Sequence, residues 1–362
     1  MIISRINIIY YVNGVFIKKP MKTQRVGDSD LEVSVLSLGT MTFGGETTPN
    51  DAEAQMDFAV NNGINLIDTA EIYPAPLSPE TYGDSETLIG NWITKRKNRN
   101  HIVLSTKAAG PGDFIPWVRG GRSKHNKKNL YSAVEGSLHR LKTDHIDLFH
   151  LHWPDRAIEA NANFFTPPKK ELKYSFEDTM QALEDLTISG KIRFVGLSNE
   201  SPWGTMQMLR YKTYFSGVKI ISVQSPYNLL NRDFEFAQAE VVTNEMLGLI
   251  AYSPLAGGLL TDTPSYSLMD IQRKKRRNLA FREYFSPAKI KINKEFKELS
   301  RSLGIGLNEM ALNFILSRPF ISSAILGSKN VSQLEENLSI IQHPLAKEVE
   351  NRINKIYKEI YD

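Results

Sequence analysis

The sequence predicts an α/β fold, a (β/α)8 TIM barrel, on three observations. Eight short runs rich in branched apolar residues recur along the chain. An amphipathic helical pattern separates each run from the next. The 362 residues suffice for one barrel of ordinary size with long loops.

The strands are expected at residues 33–39 (VSVLSLG), 64–68 (INLID), 102–107 (IVLSTK), 146–152 (IDLFHLH), 194–199 (FVGLSN), 220–224 (IISVQ), 247–252 (LGLIAY) and 323–327 (SAILG). The helical patterns between them cover 52–62, 85–96, 127–141, 175–189, 202–211, 234–244, 292–303 with 308–317, and 331–341. Just ahead of the first strand, DSDLEVS (28–34) reads as the turn of a small N-terminal β-hairpin. A doubly wound sheet is the competing architecture. It would hold a dinucleotide on a G-x-G-x-x-G turn after its first strand, and GTMTFGG (39–45) does not have that spacing. Two long insertions, 153–173 and 257–290, follow strands, so a barrel places both at its C-terminal face, where function resides.

Composition narrows the function classes. A net charge of +4 is too mild to make nucleic acid the main partner. The chain has no cysteine, which excludes disulfides, a thiol nucleophile and thiolate metal sites, and fits a reducing cytoplasm. No window is long and apolar enough for a membrane helix. Residues 1–20 read as a loose extension, or as a start codon placed too early, because Met21 opens a far more regular segment; residues 21–362 then form a single barrel domain.

The strand ends carry the chemistry. Consecutive runs finish at Asp68, Lys107, His152, Ser198–Asn199, Gln224 and Tyr252, and in a barrel these tips form one ring. Strands stopping where polarity begins would account for polar residues in general. It accounts less well for an acid, a lysine and a histidine on successive strands, with Tyr73 close behind the first. A tyrosine gives up its proton poorly near neutrality; a neighbouring ammonium is expected to pull its pKa down, and Asp68 to place that ammonium. Tyr73 then serves as a general acid toward a developing alkoxide, with His152 orienting the carbonyl oxygen. The set contains no electron source, so the hydride donor is expected to be a nicotinamide cofactor.

Eight motifs, taken in order, give the chain a family resemblance. They are LSLGTMTFG (36–44), INLIDTAEIYP (64–74), STK (105–107), IDLFHLHWP (146–154), GKIRFVGLSNE (190–200), VQSPYNLLNR (223–232), AYSPLAGGLLT (251–261) and ILGSKNVSQLEEN (325–337). From Met21 onward the chain resembles an aldo-keto reductase of the Tas-type bacterial group, which is also similar to the potassium-channel β subunits. The resemblance implies a barrel that binds NADPH without a Rossmann unit, with catalytic roles for Asp68, Tyr73, Lys107 and His152. It places Thr40, Met41 and Asp68 near the nicotinamide ribose and Ser198, Asn199 and Gln224 at the carboxamide. Tyr252 is matched to the aromatic under the ring, and Ser253, Leu255 and Gly257 to the pyrophosphate. Gly327, Ser328, Lys329, Gln333, Glu336 and Asn337 are matched to the adenosine end. GSKN opening the last of these helices, with Lys329, suits a 2′-phosphate and so favours NADPH over NADH.

Two departures stand out. Relatives often carry LTGK where this chain has LTDT (260–263), so a cation is absent and Asp262 brings the wrong sign; RKKRRN (273–278), with Arg277, is the expected compensation. The implied function is NADPH-dependent reduction of an aldehyde or ketone to an alcohol by a cytoplasmic protein, a monomer or weak homo-oligomer. A cofactor-loaded regulatory or binding subunit with little turnover is the alternative. A metal-dependent hydrolase needs more than His150 and His152, and only His343 follows them; His150 reads instead as a hydrogen-bonded barrel-interior residue. Trp153, next to His152, is the expected substrate wall.

Overall fold

All eight expected strands form. They pair in parallel and close on themselves in chain order. The computed structural model describes residues 9–12, 15–18, 21–156, 175–262, 283–341 and 344–359. Two antiparallel pairs precede the barrel: β1 (Ile9–Val12) with β2 (Val15–Lys18), and β3 (Thr23–Arg25) with β4 (Glu32–Ser34). The barrel strands are β5 (Leu36–Gly39), β6 (Leu66–Asp68), β7 (Val103–Ala108), β8 (Ile146–Leu151), β9 (Ile192–Ser198), β10 (Ile220–Pro226), β11 (Gly248–Tyr252) and β12 (Ile321–Leu326).

Outside run α1 (Pro49–Asn61), α2 (Asp84–Arg96), α3 (Lys127–Leu141), α4 (Phe176–Ile188), α5 (Pro202–Arg210), α6 (Gln238–Asn244), α7 (Pro287–Leu303), α8 (Leu307–Leu316), α9 (Val331–Ser339) and α10 (Lys347–Lys358). Their starts are chemically marked. Thr48, Asn126, Ser175, Ser201, Ser286 and Asn330 each accept a backbone N–H from the first turn, and proline opens α1, α5 and α7. The Ser286–Pro287 cap starts α7 five residues ahead of the expected 292, so the end of the 257–290 insertion is helix. The last helix, α10, lies beyond the expected elements. It packs back on the body through Tyr357, whose hydroxyl accepts the Arg232 N–H at 3.0 Å, and through Glu350, 3.2 Å from Arg318. Residues 157–174 and 263–282, which hold most of both insertions and all of RKKRRN with Arg277, lie outside the described residues, as do parts of 1–20.

The barrel interior explains why the strand tips converge. Side chains two apart on a strand share a face. Leu66, Val103, Leu148, Phe194, Ile250 and Ile325 form an apolar cluster inside the barrel, joined by Val26, Leu31 and Val33 from the β3–β4 hairpin. Two residues further along, Ser105 and His150 form a polar layer. The His150 ring nitrogens lie 3.3 Å from Ser105 Oγ and 3.3 Å from Ser222 Oγ, so His150 is the hydrogen-bonded interior residue expected. Gly196 faces this ring; a Cβ there would come within 2.3 Å of it. A further step of two reaches Lys107, His152 and Ser198. Strand β10 keeps pace only because its register shifts between Ile220 and Ser222, which lets both Ile221 and Ser222 face inward and leaves Gln224 at the rim. Among the described residues no helix is long and apolar enough to cross a membrane.

Candidate active site

Asp68 ends β6 and is the hub of the C-terminal rim. Its carboxylate accepts from Lys107 Nζ at 2.5 Å, Ser105 Oγ at 2.8 Å and Gln224 Nε2 at 3.0 Å. Its backbone oxygen accepts from the Thr40 amide at 3.1 Å and the Thr40 hydroxyl at 3.0 Å. Lys107 is wholly buried, and its ammonium also donates to the Thr69 carbonyl at 2.6 Å. Burial lowers the Lys107 pKa from its ordinary value, against the pull of Asp68. The Ser105 contact was missed in the sequence, although Ser105 sits two residues before Lys107 on the same face.

Tyr73 stands on the loop from β6 to α2. Its amide donates to the Ala70 carbonyl at 3.0 Å, and its carbonyl accepts from the Gly83 amide at 3.0 Å. The Lys107 ammonium lies 5.2 Å from the centre of the Tyr73 ring, and the His152 ring meets it edge-on at 5.8 Å. Asp68, Lys107, Tyr73 and His152 are therefore brought together. The electrostatics differ from the expectation that the lysine draws the tyrosine pKa down. Burial, and then the negative charge of Asp68, push the phenol well above its ordinary value. The physical reason is that the Lys107 charge is spent on Asp68 at 2.5 Å, so burial of the phenol and the Asp68 charge decide the direction. A phenol so placed stays protonated and gives its proton only to a strongly basic oxygen such as a developing alkoxide. His152 is held neutral, its pKa well below the ordinary 6.5 through burial and the Lys107 charge, and its Nδ1 is buried without a partner. Trp153 packs 4.9 Å from the His152 ring and 5.6 Å from Phe114, and its indole N–H donates to the Pro111 carbonyl at 2.9 Å. Trp153 thus stands beside His152 at the rim.

The expected cofactor residues run across the same face. Met41 is partly exposed beside the Tyr73 loop, its carbonyl accepting the Ala75 amide at 2.7 Å. Ser198 is buried at the end of β9. The next residue, Asn199, donates to the His152 carbonyl at 2.8 Å and accepts from the Tyr252 hydroxyl at 2.8 Å, which fixes the tyrosine ring at the rim. Beyond Tyr252, the loop through Leu255 holds Ser253, Ala256, Gly257 and Gly258 at positive φ (53°, 47°, 64° and 94°). Two of these are not glycine, so backbone strain is maintained there, the pattern of a loop shaped to receive a ligand. Gly327 has open space where a Cβ would stand, and the Ser328 hydroxyl is buried without a partner. These unspent groups and the strained loop fit an extended dinucleotide.

The helix end is less open than expected. The Gln333 side chain accepts the Lys329 amide at 3.0 Å, and Asn330 accepts the Gln333 amide at 3.0 Å, so a capping box occupies two of the amides. Glu336 is engaged by Asn308 at 2.9 Å, and Asn337 is buried. Asp262 is not a misplaced charge: its carboxylate accepts the Leu307 amide at 3.1 Å and 3.2 Å, at the positive end of α8. Among the described residues no three His, Asp or Glu side chains gather as a metal site.

The closed barrel agrees with what the chain is similar to. The Aldo/keto reductase family model matches residues 35–358, so the chain belongs to the aldo/keto reductases. It is 36% identical over 340 residues to Protein tas of Escherichia coli (strain K12), covering 93% of this chain and 98% of that protein. It is 32% identical to the uncharacterized oxidoreductase YrpG of Bacillus subtilis (strain 168), over 93% and 96% of the two chains. An aldo-keto reductase of Babesia bovis is 35% identical over 71% of this chain and 95% of its own. The chain is an NAD(P)H-dependent oxidoreductase of the carbonyl-reducing type.

Proposed function

We propose that this protein reduces an aldehyde or ketone to an alcohol with NADPH, and that Tyr73 supplies the proton. The observation that carries the reading is geometric: the Tyr73 ring lies 5.2 Å from the Lys107 ammonium, itself held by Asp68 at 2.5 Å, and 5.8 Å from the His152 ring. Bound NADPH supplies the hydride taken up by the carbonyl carbon. The carbonyl oxygen accepts a hydrogen bond from neutral His152 and takes the Tyr73 proton as it gains charge; Lys107, held by Asp68, then faces the phenolate left behind. Thr40, Met41, Ser198, Asn199, Gln224 and Tyr252 would hold the nicotinamide half, the loop with Ser253, Leu255 and Gly257 the pyrophosphate, and residues 327–337 the adenosine end. Lys329 at the N-terminus of α9 supports a preference for a 2′-phosphate. Residues 21–362 make up the catalytic domain in this reading, and the absence of cysteine suits a cytoplasmic setting.

The test is Tyr73→Phe. Carbonyl turnover should fall by about 10²–10⁴ while nicotinamide binding, followed by fluorescence titration with NADPH and NADH, stays near wild type. Equal loss of both would overturn the assignment. Tight NADPH binding by the wild type without turnover across an aldehyde and ketone panel would point to a binding subunit instead.

A further inference from the structure

A second charged assembly lies beside the first, and the proposed chemistry does not use it. Glu71 is fully buried two residues before Tyr73. Its carboxylate accepts from the Ala109 amide at 2.6 Å, from Arg119 Nη1 and Nη2 at 2.6 Å and 2.7 Å, and from the Tyr82 hydroxyl at 2.9 Å. Arg119 belongs to a different rim loop, the one following β7. Its backbone sits at φ +49°, followed by Gly120 at +67° and Gly121 at +72°. Arg119 is the one residue of this run that is not glycine, so its left-handed backbone is strained, and it places the guanidinium in a two-pronged pair with the buried Glu71.

Around the pair, Ala70, Ile72, Ala109, Ile115 and Val118 form an apolar cluster separate from the main core, with Tyr73 and Trp117 packed on it. We propose that the Glu71–Arg119 pair is a positioning clamp: it fastens the Tyr73 loop to the loop after β7, so that the proton donor and one side of the substrate pocket keep a fixed relation. This rests on the reading of Tyr73 as the acid. The clamp touches no reacting atom. It acts by denying the Tyr73 loop the small displacements that proton transfer does not tolerate, since a misplacement near 1 Å can cost about 10²-fold in rate.

The experiment compares Arg119→Met, Arg119→Lys and the double variant Glu71→Gln/Arg119→Met with Tyr73→Phe. The double variant removes both charges together and so leaves no unpaired buried carboxylate if Arg119→Met alone fails to fold. For the folded fraction of each, kcat and KM for an aldehyde and the dissociation constant for NADPH are measured. The clamp predicts kcat lowered by about tenfold or more in the Met and double variants, NADPH affinity within about twofold of wild type, and partial recovery in Arg119→Lys, which keeps the charge but not the fork. Lower melting temperatures with kcat unchanged would overturn the clamp while leaving Tyr73→Phe inactive and its role intact. A fully active Tyr73→Phe would remove both proposals at once.

Discussion

Each end of the barrel holds a buried carboxylate against cations, and the two sites differ in what surrounds them. At the N-terminal end, Asp147 accepts from Arg99 and Arg193, both at 2.7 Å, and from the Leu104 amide at 2.9 Å. Arg99 reaches in addition the Ile102 and His145 carbonyls and the Thr143 hydroxyl. Hydrogen bonding there is extensive and Arg193 is 46% exposed. At the C-terminal end the cation is a lysine with no exposure, its pKa lowered, next to a tyrosine with its pKa raised and a histidine whose Nδ1 has no partner. A site built for stability completes its hydrogen bonds. A site built for chemistry keeps groups whose partner is a ligand, and shifts pKa values away from their ordinary range.

Removing the cation at each end tests that distinction. Lys107→Met should have the largest effect. It leaves Asp68 buried without its cation, a loss of about 3–5 kcal/mol for a broken buried pair, and turnover should fall by about 10² or more because nothing then faces the phenolate. Thermal denaturation and steady-state kinetics on the same preparation check both. Loss of stability with normal kcat would make the upper pair structural, like the lower one.

A pH profile sharpens the comparison with a smaller effect. Tyr73 is raised, so it remains protonated as pH rises; Lys107 is lowered from its ordinary 10.5, so it is the first of the two to titrate. The alkaline limb of kcat for reduction should therefore belong to Lys107 and move to higher pH in Lys107→Arg, whose charge persists. His152 lies well below 6.5, so no acid limb from it is expected near neutrality. A limb that stays in place in Lys107→Arg would assign it to the phenol and contradict the burial argument.

The upper ring was legible because strand alternation is a local rule: once Asp68, Lys107 and His152 end apolar runs, a barrel must bring them to one rim. The same rule would have exposed Ser105. What stayed hidden depends on distance in three dimensions. Glu71 and Arg119 are 48 residues apart and follow no shared period. The direction of the Tyr73 shift could not be read from the sequence, because it is set first by desolvation, a property of the folded rim, and then by the Asp68 charge. Asp262 looked like a misplaced charge beside a pyrophosphate; only the arrival of Leu307, 45 residues on, reveals it as a helix cap. Gln333 and Glu336 carry polar groups that a ligand could use, yet here they hold α9 and α8. The α10 helix, by contrast, is readable from the helical spacing of Val349, Ile353 and Ile356, although it lies beyond the barrel repeat.

The smallest expected effect belongs to the lower end. Arg193→Met removes one of the two arginines on Asp147, the half-exposed one, and Arg99 still covers the carboxylate at 2.7 Å. Exposed ion pairs contribute about 0.2–1 kcal/mol, so stability should change by no more than that, and kcat and KM should not change at all. Differential scanning calorimetry with a single carbonyl substrate is enough to check it. A kinetic change in Arg193→Met would mean that the N-terminal end communicates with the rim through β8 and β9, which carry Asp147 and Arg193 at one end and lead to His152 and Ser198 at the other. The contrast between a structural end and a reactive one would then no longer hold, because the same strands would be transmitting strain from the first to the second.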